Sequence, residues 1–152
     1  MKKKTVCFVI VLMLVGLTCL SAQMSKSQLQ EMYVSHLRSV GYSPSIDRDG
    51  DVNFTEQGLN FYIAIDNDPQ SFRLSILDHI DIGGASNRLK ALEAASAVTR
   101  STRVVRLYIT QSGKIAVDSF IFVAKPEDFK VHFSQLVKIM VDARKEFVDA
   151  MR

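Results

Sequence analysis

The sequence predicts an α+β domain: a single antiparallel sheet of about five to six strands covered by helices, in the order α-β-β-β-β-α-β-β-α. Three observations carry it. Leu59, Phe61, Ile63 and Ile65 alternate with Asn60, Tyr62, Ala64 and Asp66, the period of a half-buried strand. Phe129, Phe133, Leu136, Met140, Ala143, Phe147 and Ala150 recur at intervals of four and three, the stripe of a long helix. The period-two segments are also grouped into hairpins rather than alternating singly with helices, which favours an antiparallel sheet over a parallel one.

Taken in order, Ser25 or Ser27 can cap a first helix, with Gln28 in capping-box spacing from Ser25. Leu29, Met32, Tyr33, His36, Leu37 and Val40 mark its core face. Gly41 is placed to end it, with Tyr42 packing back beyond the cap and Pro44 blocking continuation. Ile46 then leads into Asp47-Arg48-Asp49-Gly50-Asp51, where Asp49-Gly50 reads as a two-residue hairpin turn with both positions at positive φ. Val52 and Phe54 alternate in the next strand, Glu56-Gln57-Gly58 breaks it, and the Leu59 strand follows. Asp66-Asn67-Asp68-Pro69 turns into a strand with Phe72, Leu74 and Ile76 inward. These four strands form a meander. Gly83-Gly84 closes the block, and Ser86 can cap a helix with Leu89, Leu92, Ala95 and Val98 on one face. Val105, Leu107 and Ile109 form a strand, Gln111-Ser112-Gly113-Lys114 turns, and residues 115–123 return. Pro126, Glu127 and Asp128 suit the first turn of the closing helix.

The first 23 residues read as an address. Lys2, Lys3 and Lys4 form a basic region, residues 5–20 an apolar run, and Ser21-Ala22-Gln23 supplies small residues for cleavage. The run is short for a membrane anchor, and no basic stop-transfer cluster follows it. Cys19 raises a lipoprotein alternative, but Gly16-Leu17-Thr18 is a poor match to a lipobox. The expected division is a cleaved signal peptide over 1–23 and one α+β domain over 24–152, exported to a periplasmic or extracellular space and not inserted in a membrane after cleavage.

Cleavage changes the composition. Both cysteines, Cys7 and Cys19, leave with the leader, so the mature chain has no thiol for a disulfide or a thiolate metal site. Removing three lysines leaves 16 basic residues against 16 acidic ones, so the whole-chain pI near 8.9 belongs to the leader. A neutral mature surface has no long-range field for a phosphate backbone, and nucleic acid is not an expected partner.

The chain resembles the YbjN family, whose fold is like that of type III secretion chaperones. The residues that carry the resemblance are Gly41-Tyr42, the run Ile46-Asp47-Arg48-Asp49-Gly50-Asp51-Val52-Asn53-Phe54, the strand Phe61-Tyr62-Ile63-Ala64-Ile65, and the block from Arg103 through the last helix. The resemblance implies a non-catalytic domain described as a regulator, with relatives that hold partner proteins as dimers. It supplies no catalytic residues, and an export signal departs from its familiar members.

Candidate chemistry is sparse. Asp47, Asp49 and Asp51 suggest a calcium loop, but an EF-hand starting at Asp47 needs Gly where Val52 stands and Glu where Gly58 stands. A solvated turn is expected instead. His36, His79 and His132 show no metal-ligand spacing. Asp78-His79-Ile80-Asp81 is the one cluster suited to acid–base work, although adjacent strand residues point to opposite faces. No serine sits in a Gly-x-Ser-x-Gly elbow, and Gly83-Gly84 lacks the rest of a phosphate loop. No catalytic residue, metal or cofactor is therefore expected.

Arg73, Arg106, Tyr62 and Tyr108, with Arg100 and Arg103 nearby, fall where an outward mix of aromatic and cationic groups could form a contact surface. Residues 115–123 place Ser119, Ile121 and Val123 on one face and Asp118, Phe120 and Phe122 on the other. Their second half is thus apolar on both sides, which requires a covering element or a partner. The expectation is an exported, non-enzymatic domain that binds a protein, or a second copy of itself, through Tyr62, Arg73, Arg106, Tyr108, Phe120 and Phe122. The alternative is a small envelope enzyme or ligand-binding protein using the Asp78 to Asp81 region.

Overall fold

The computed structural model describes residues 24–78, 80 and 82–152. The expected leader over 1–23 lies outside the described residues, as do His79 and Asp81.

Helix α1 spans Lys26–Ser39. Ser25 caps it: Gln28 N–H donates to the Ser25 hydroxyl at 3.3 Å and Ser25 N–H donates to the Gln28 side chain at 2.9 Å, the expected capping box. At the other end Gly41 sits at φ +95°, with Tyr42 N–H on Leu37 C=O and Gly41 N–H on Arg38 C=O. These two bonds close a Schellman motif. Tyr42 then packs 4.7 Å from the Phe54 ring. Leu29, Tyr33 and Leu37 are buried, while Val40, expected on the same stripe, is exposed because the chain is already turning away.

The strands are β1 (Ser45–Ile46), β2 (Val52–Glu56), β3 (Leu59–Ile63), β4 (Ser71–Asp78), β5 (Arg106–Ile109) and β6 (Ile115–Phe122), all antiparallel in the order β1-β2-β3-β4-β6-β5. The expected α+β class, element order and four-strand meander are all present. One turn assignment is corrected. Gly50 is at φ +91° but Asp49 is not in the positive region, and the loop is closed by Gly50 N–H on Asp47 C=O and Asp47 N–H on Asp51 C=O. Asp47 holds it further by accepting from Asp49 N–H and Asp51 N–H. The two-residue turn with both positions positive lies one hairpin later, at Gln57 (φ +49°) and Gly58 (φ +76°), between the paired residues Glu56 and Leu59.

Helix α2 spans Ala85–Ser101, with Gly84 and not Ser86 at its cap. Its buried face is Ala91, Ala94, Ala95 and Val98; Leu89 and Leu92, expected inward, are 60% and 47% exposed. The helix lies close against the closing helix and the edge of β5, a fit that small side chains permit and leucine does not. The closing helix α3 spans Phe129–Met151, preceded by a 3₁₀ turn over Pro126–Asp128. Asp128 accepts from Lys125 N–H there. Phe129, Phe133, Leu136, Met140, Ala143 and Phe147 are buried as expected, Val137 joins them, and Ala150 is exposed.

All three helices share one core with the inner sheet face. Val52, Phe54, Phe61, Ile63, Phe72, Leu74, Ile76, Leu107, Ile115 and Val117 point into it. Phe54 and Phe61, directly opposed across β2 and β3, stack at 5.1 Å, and Tyr33 meets Phe129 edge-on at 4.8 Å. Among the described residues no helix lies over the outer face of β3, β4, β6 and β5.

Candidate protein-contact face

Alternation on four strands builds the outer face. Register places Tyr62 opposite Ser75, Ser75 opposite Asp118, and Asp118 opposite Arg106, so one row crosses β3, β4, β6 and β5. The next rows pair Arg73 with Phe120 and Tyr108 with Ala116. Every one of Tyr62, Arg73, Arg106, Tyr108, Phe120 and Phe122 therefore lies on this face. They are not one cluster: Tyr62 is two strands, about 10 Å, from Asp118, and it borders a separate shallow cavity with Ser45, Asn53 and Asn60.

At the β6 end, Phe120 and Phe122 form an edge-to-face pair at 4.9 Å, 45% and 74% exposed. Each keeps apolar surface in water that the fold itself does not cover. Beside them Asp118 is the polar centre. It is 8% exposed and accepts from Tyr108 hydroxyl at 2.9 Å and Arg106 at 3.2 Å. Arg106 in turn lies over the Tyr108 ring at 4.9 Å. Burial pushes the Tyr108 hydroxyl up from its usual pKa, helped by its bond to Asp118 and opposed by Arg106 and Arg73. The phenol therefore stays protonated and donating at physiological pH.

A cavity of about 620 Å³ opens here, lined by Arg73, Arg103, Arg106, Val104, Asp118 and Phe120 among others. A second, of about 340 Å³, lies at the open edge of β6 among Val104, Ile121, Phe122, His132, Leu136 and Ile139. Val104, 44% exposed, borders both.

Arg100 is not part of the face; it lies on α2 and donates to Ser96. Asp118 and Val104 are the contributors that single-residue reading did not select. Asp118 stood in the outward set of β6, and only the pairing register, which sets it opposite Arg106, brings out its role.

Elsewhere, Asp78 accepts from Arg144 of α3 at 2.6 Å, an ion pair that ties the end of β4 to the closing helix. The other titratable members of the Asp78-His79-Ile80-Asp81 run lie outside the described residues. Among the described residues no three His, Cys, Asp or Glu side chains converge as metal ligands. No helix among them is long and apolar enough to cross a membrane.

No family model matches the chain, and no curated protein matches its sequence. Among solved structures its fold is similar to that of YbjN from E. coli, at a TM-score of 0.57 and 13% identity over 80% of this chain and 87% of that one. A chain of the HopA1–SchA chaperone–effector complex matches at 0.49 and 17% identity, covering 76% and 95% of the two chains. The type III secretion chaperone SycH of Yersinia pestis, in complex with a fragment of YscM2, matches at 0.47 and 14%, covering 78% and 99%. The architecture is thus that of YbjN.

Proposed function

We propose that this protein is an exported, non-catalytic module that binds a protein partner through the outer face of its sheet. The observation that carries this is the Phe120–Phe122 pair, left uncovered on a face whose opposite side holds the whole core. Two adjacent phenylalanines in water are a cost the fold has no internal reason to bear, and clustered exposed apolar groups mark contact sites. The surrounding Arg73, Arg106 and Tyr108 are residue types enriched at the energetic centres of interfaces. Export rests on the order of basic, apolar and small residues in 1–23.

The test is a double substitution, Phe120→Ser with Phe122→Ser, in protein recovered from cells expressing the full-length chain. Its circular dichroism and thermal transition should match the parent, because neither ring contributes to the core. A partner retained by the parent from its own cell envelope should be lost. Equal retention by the folded double variant would overturn the reading.

A further inference from the structure

β5 stops at Arg106, opposite Asp118, whereas β6 runs on to Phe122. Residues 119–122 of β6 are therefore paired with residues 71–74 of β4 on one side and, among the described residues, with no strand on the other. Successive residues of an antiparallel strand turn their backbone groups to alternate sides. Val123 N–H donates to Gln70 C=O, on the β4 side. Phe120 and Phe122, each an odd number of residues from Val123, consequently aim N–H and C=O at the open side.

The outer edge of β5 is closed, and β2, like β6, runs on past its edge neighbour, to Glu56. Thr99 of α2 accepts from Leu107 N–H at 3.0 Å and donates to Leu107 C=O at 3.3 Å, filling the outer edge of β5. At the far side of the sheet the edge strand β1 is only two residues long. Covering helices and short strands are the usual protection against unwanted pairing. Among the described residues no helix or strand covers the gap beside Phe120 and Phe122; the turn before β5 reaches only its near end, where Val104 C=O accepts from the Ser119 hydroxyl at 2.9 Å.

A strand laid into this gap would present alternate side chains to the two sides of the sheet. On the outer side lies the Phe120–Phe122 platform; on the inner side lies the groove of Ile121, Leu136, Ile139 and Val104, which Phe122 also borders at the edge. Charge restricts the occupant further. Arg73, Arg103 and Arg106 line the adjoining cavity against one carboxylate, Asp118, which Arg106 and Tyr108 already hold. Arg73 and Arg103 have no ion-pair partner among the described residues.

Resting on the protein-binding reading above, we propose that the occupant is an extended acidic segment of a partner protein. It adds as a strand beside residues 119–122, sets an Asp or Glu against Arg73 and Arg103, and lays apolar side chains on the platform and in the groove.

Selection of a displayed library of random decapeptides on the protein, produced from the full-length chain, tests this. Enriched peptides should carry an acidic residue flanked by alternating apolar ones. A fluorescein-labelled synthetic copy should protect the Phe120 and Phe122 amides from hydrogen exchange. Arg73→Glu with Arg103→Glu should weaken it at least about tenfold, the scale of a lost charge-assisted contact. N-methylation of its edge-facing amides should abolish binding. Failure to enrich any peptide, enrichment without acidic residues, or binding that leaves those amides exchanging would overturn the proposal. Concentration-dependent protection of the same amides without peptide would identify a second copy as the occupant and overturn it too. If amides stay unprotected while Phe120→Ser with Phe122→Ser still loses the envelope partner, only the strand inference falls. If that double variant keeps its partner, the binding reading falls as well.

Discussion

His36 shows how a single side chain couples this fold to pH. Its ring stands edge-on to Phe129 at 5.0 Å and Phe133 at 5.2 Å, and Nε2 is buried without a hydrogen-bond partner. Desolvation first, and Lys130 second, hold its pKa below the ordinary 6.5. The unfolded chain therefore binds a proton more readily than the folded one. The stabilisation from keeping His36 neutral is fully present above pH 6.5 and is lost as pH falls through the lower folded value. Urea denaturation of the parent should give a stability that drops on acidification from neutral to about pH 5. In His36→Leu the drop should be shallower over the same interval, the remaining slope belonging to the carboxylates. Parallel slopes for the two proteins would show that His36 titrates normally. This sensitivity was hidden in the sequence, where His36 was only one position on a helical stripe. Phe129 and Phe133, nearly a hundred residues away, create the environment that matters. Tyr108 and Asp118 repeat the lesson on the outer face: each residue was readable as outward, but their bond depends on a register that alternation alone cannot assign.

At the scale of elements, the sequence was most legible where one residue type admits one conformation. The Ser25 capping box, the Gly41 termination and the stripe of α3 all stand where their chemistry puts them. The first two hairpins were harder because both carry a glycine preceded by a polar residue. Asp47 accepts from two backbone N–H groups and so draws the first loop into a longer form, leaving only Gly50 at positive φ. Gln57 instead occupies the left-handed region, which suits a long side chain poorly. Gln57→Asn should therefore raise the unfolding free energy by about 0.5 kcal/mol, since asparagine tolerates that conformation better. An unchanged or lower denaturation midpoint would contradict this. For α3, Phe133 is fully buried among Phe54, Tyr42 and Phe129. Phe133→Ala should cost about 3 to 5 kcal/mol. Lys138 is exposed and pairs with the exposed Asp142 one turn on, so Lys138→Ala should change stability by less than about 0.5 kcal/mol. Chemical denaturation yielding similar losses for both would mean that α3 is not the clamp its packing describes. Helix α2 was misread for a different reason: leucines outrank alanines in any hydrophobicity count, but proximity to α3 and β5 selects the small face.

At the scale of the whole molecule, the class and element order could be read from periodicity, whereas the placement of β5 outside β6 could not. The connection through α2 carries the chain across the sheet, and no local residue encodes how far it travels. That placement leaves the second half of β6, among the described residues, without a strand on the side away from β4, so the most consequential surface of the protein follows from topology. Where the protein meets a partner depends in turn on residues 1–23. Three lysines, a 16-residue apolar run and Ser21-Ala22-Gln23 stand in the order a signal peptidase substrate requires. Two features of the remaining chain agree with removal. Ser25 and Gln28 complete the first turn of α1 without residues 1–23, and a cut after Gln23 would bring the charge to balance and remove both cysteines. Protein isolated from the envelope of expressing cells should therefore begin between Ala22 and Met24, and its intact mass should fall short of 17.0 kDa by the mass of the leader. Recovery of the uncut chain from the membrane fraction would make residues 1–23 an anchor. The outer sheet face would then work tethered to a bilayer, and the export of a free domain would have to be abandoned.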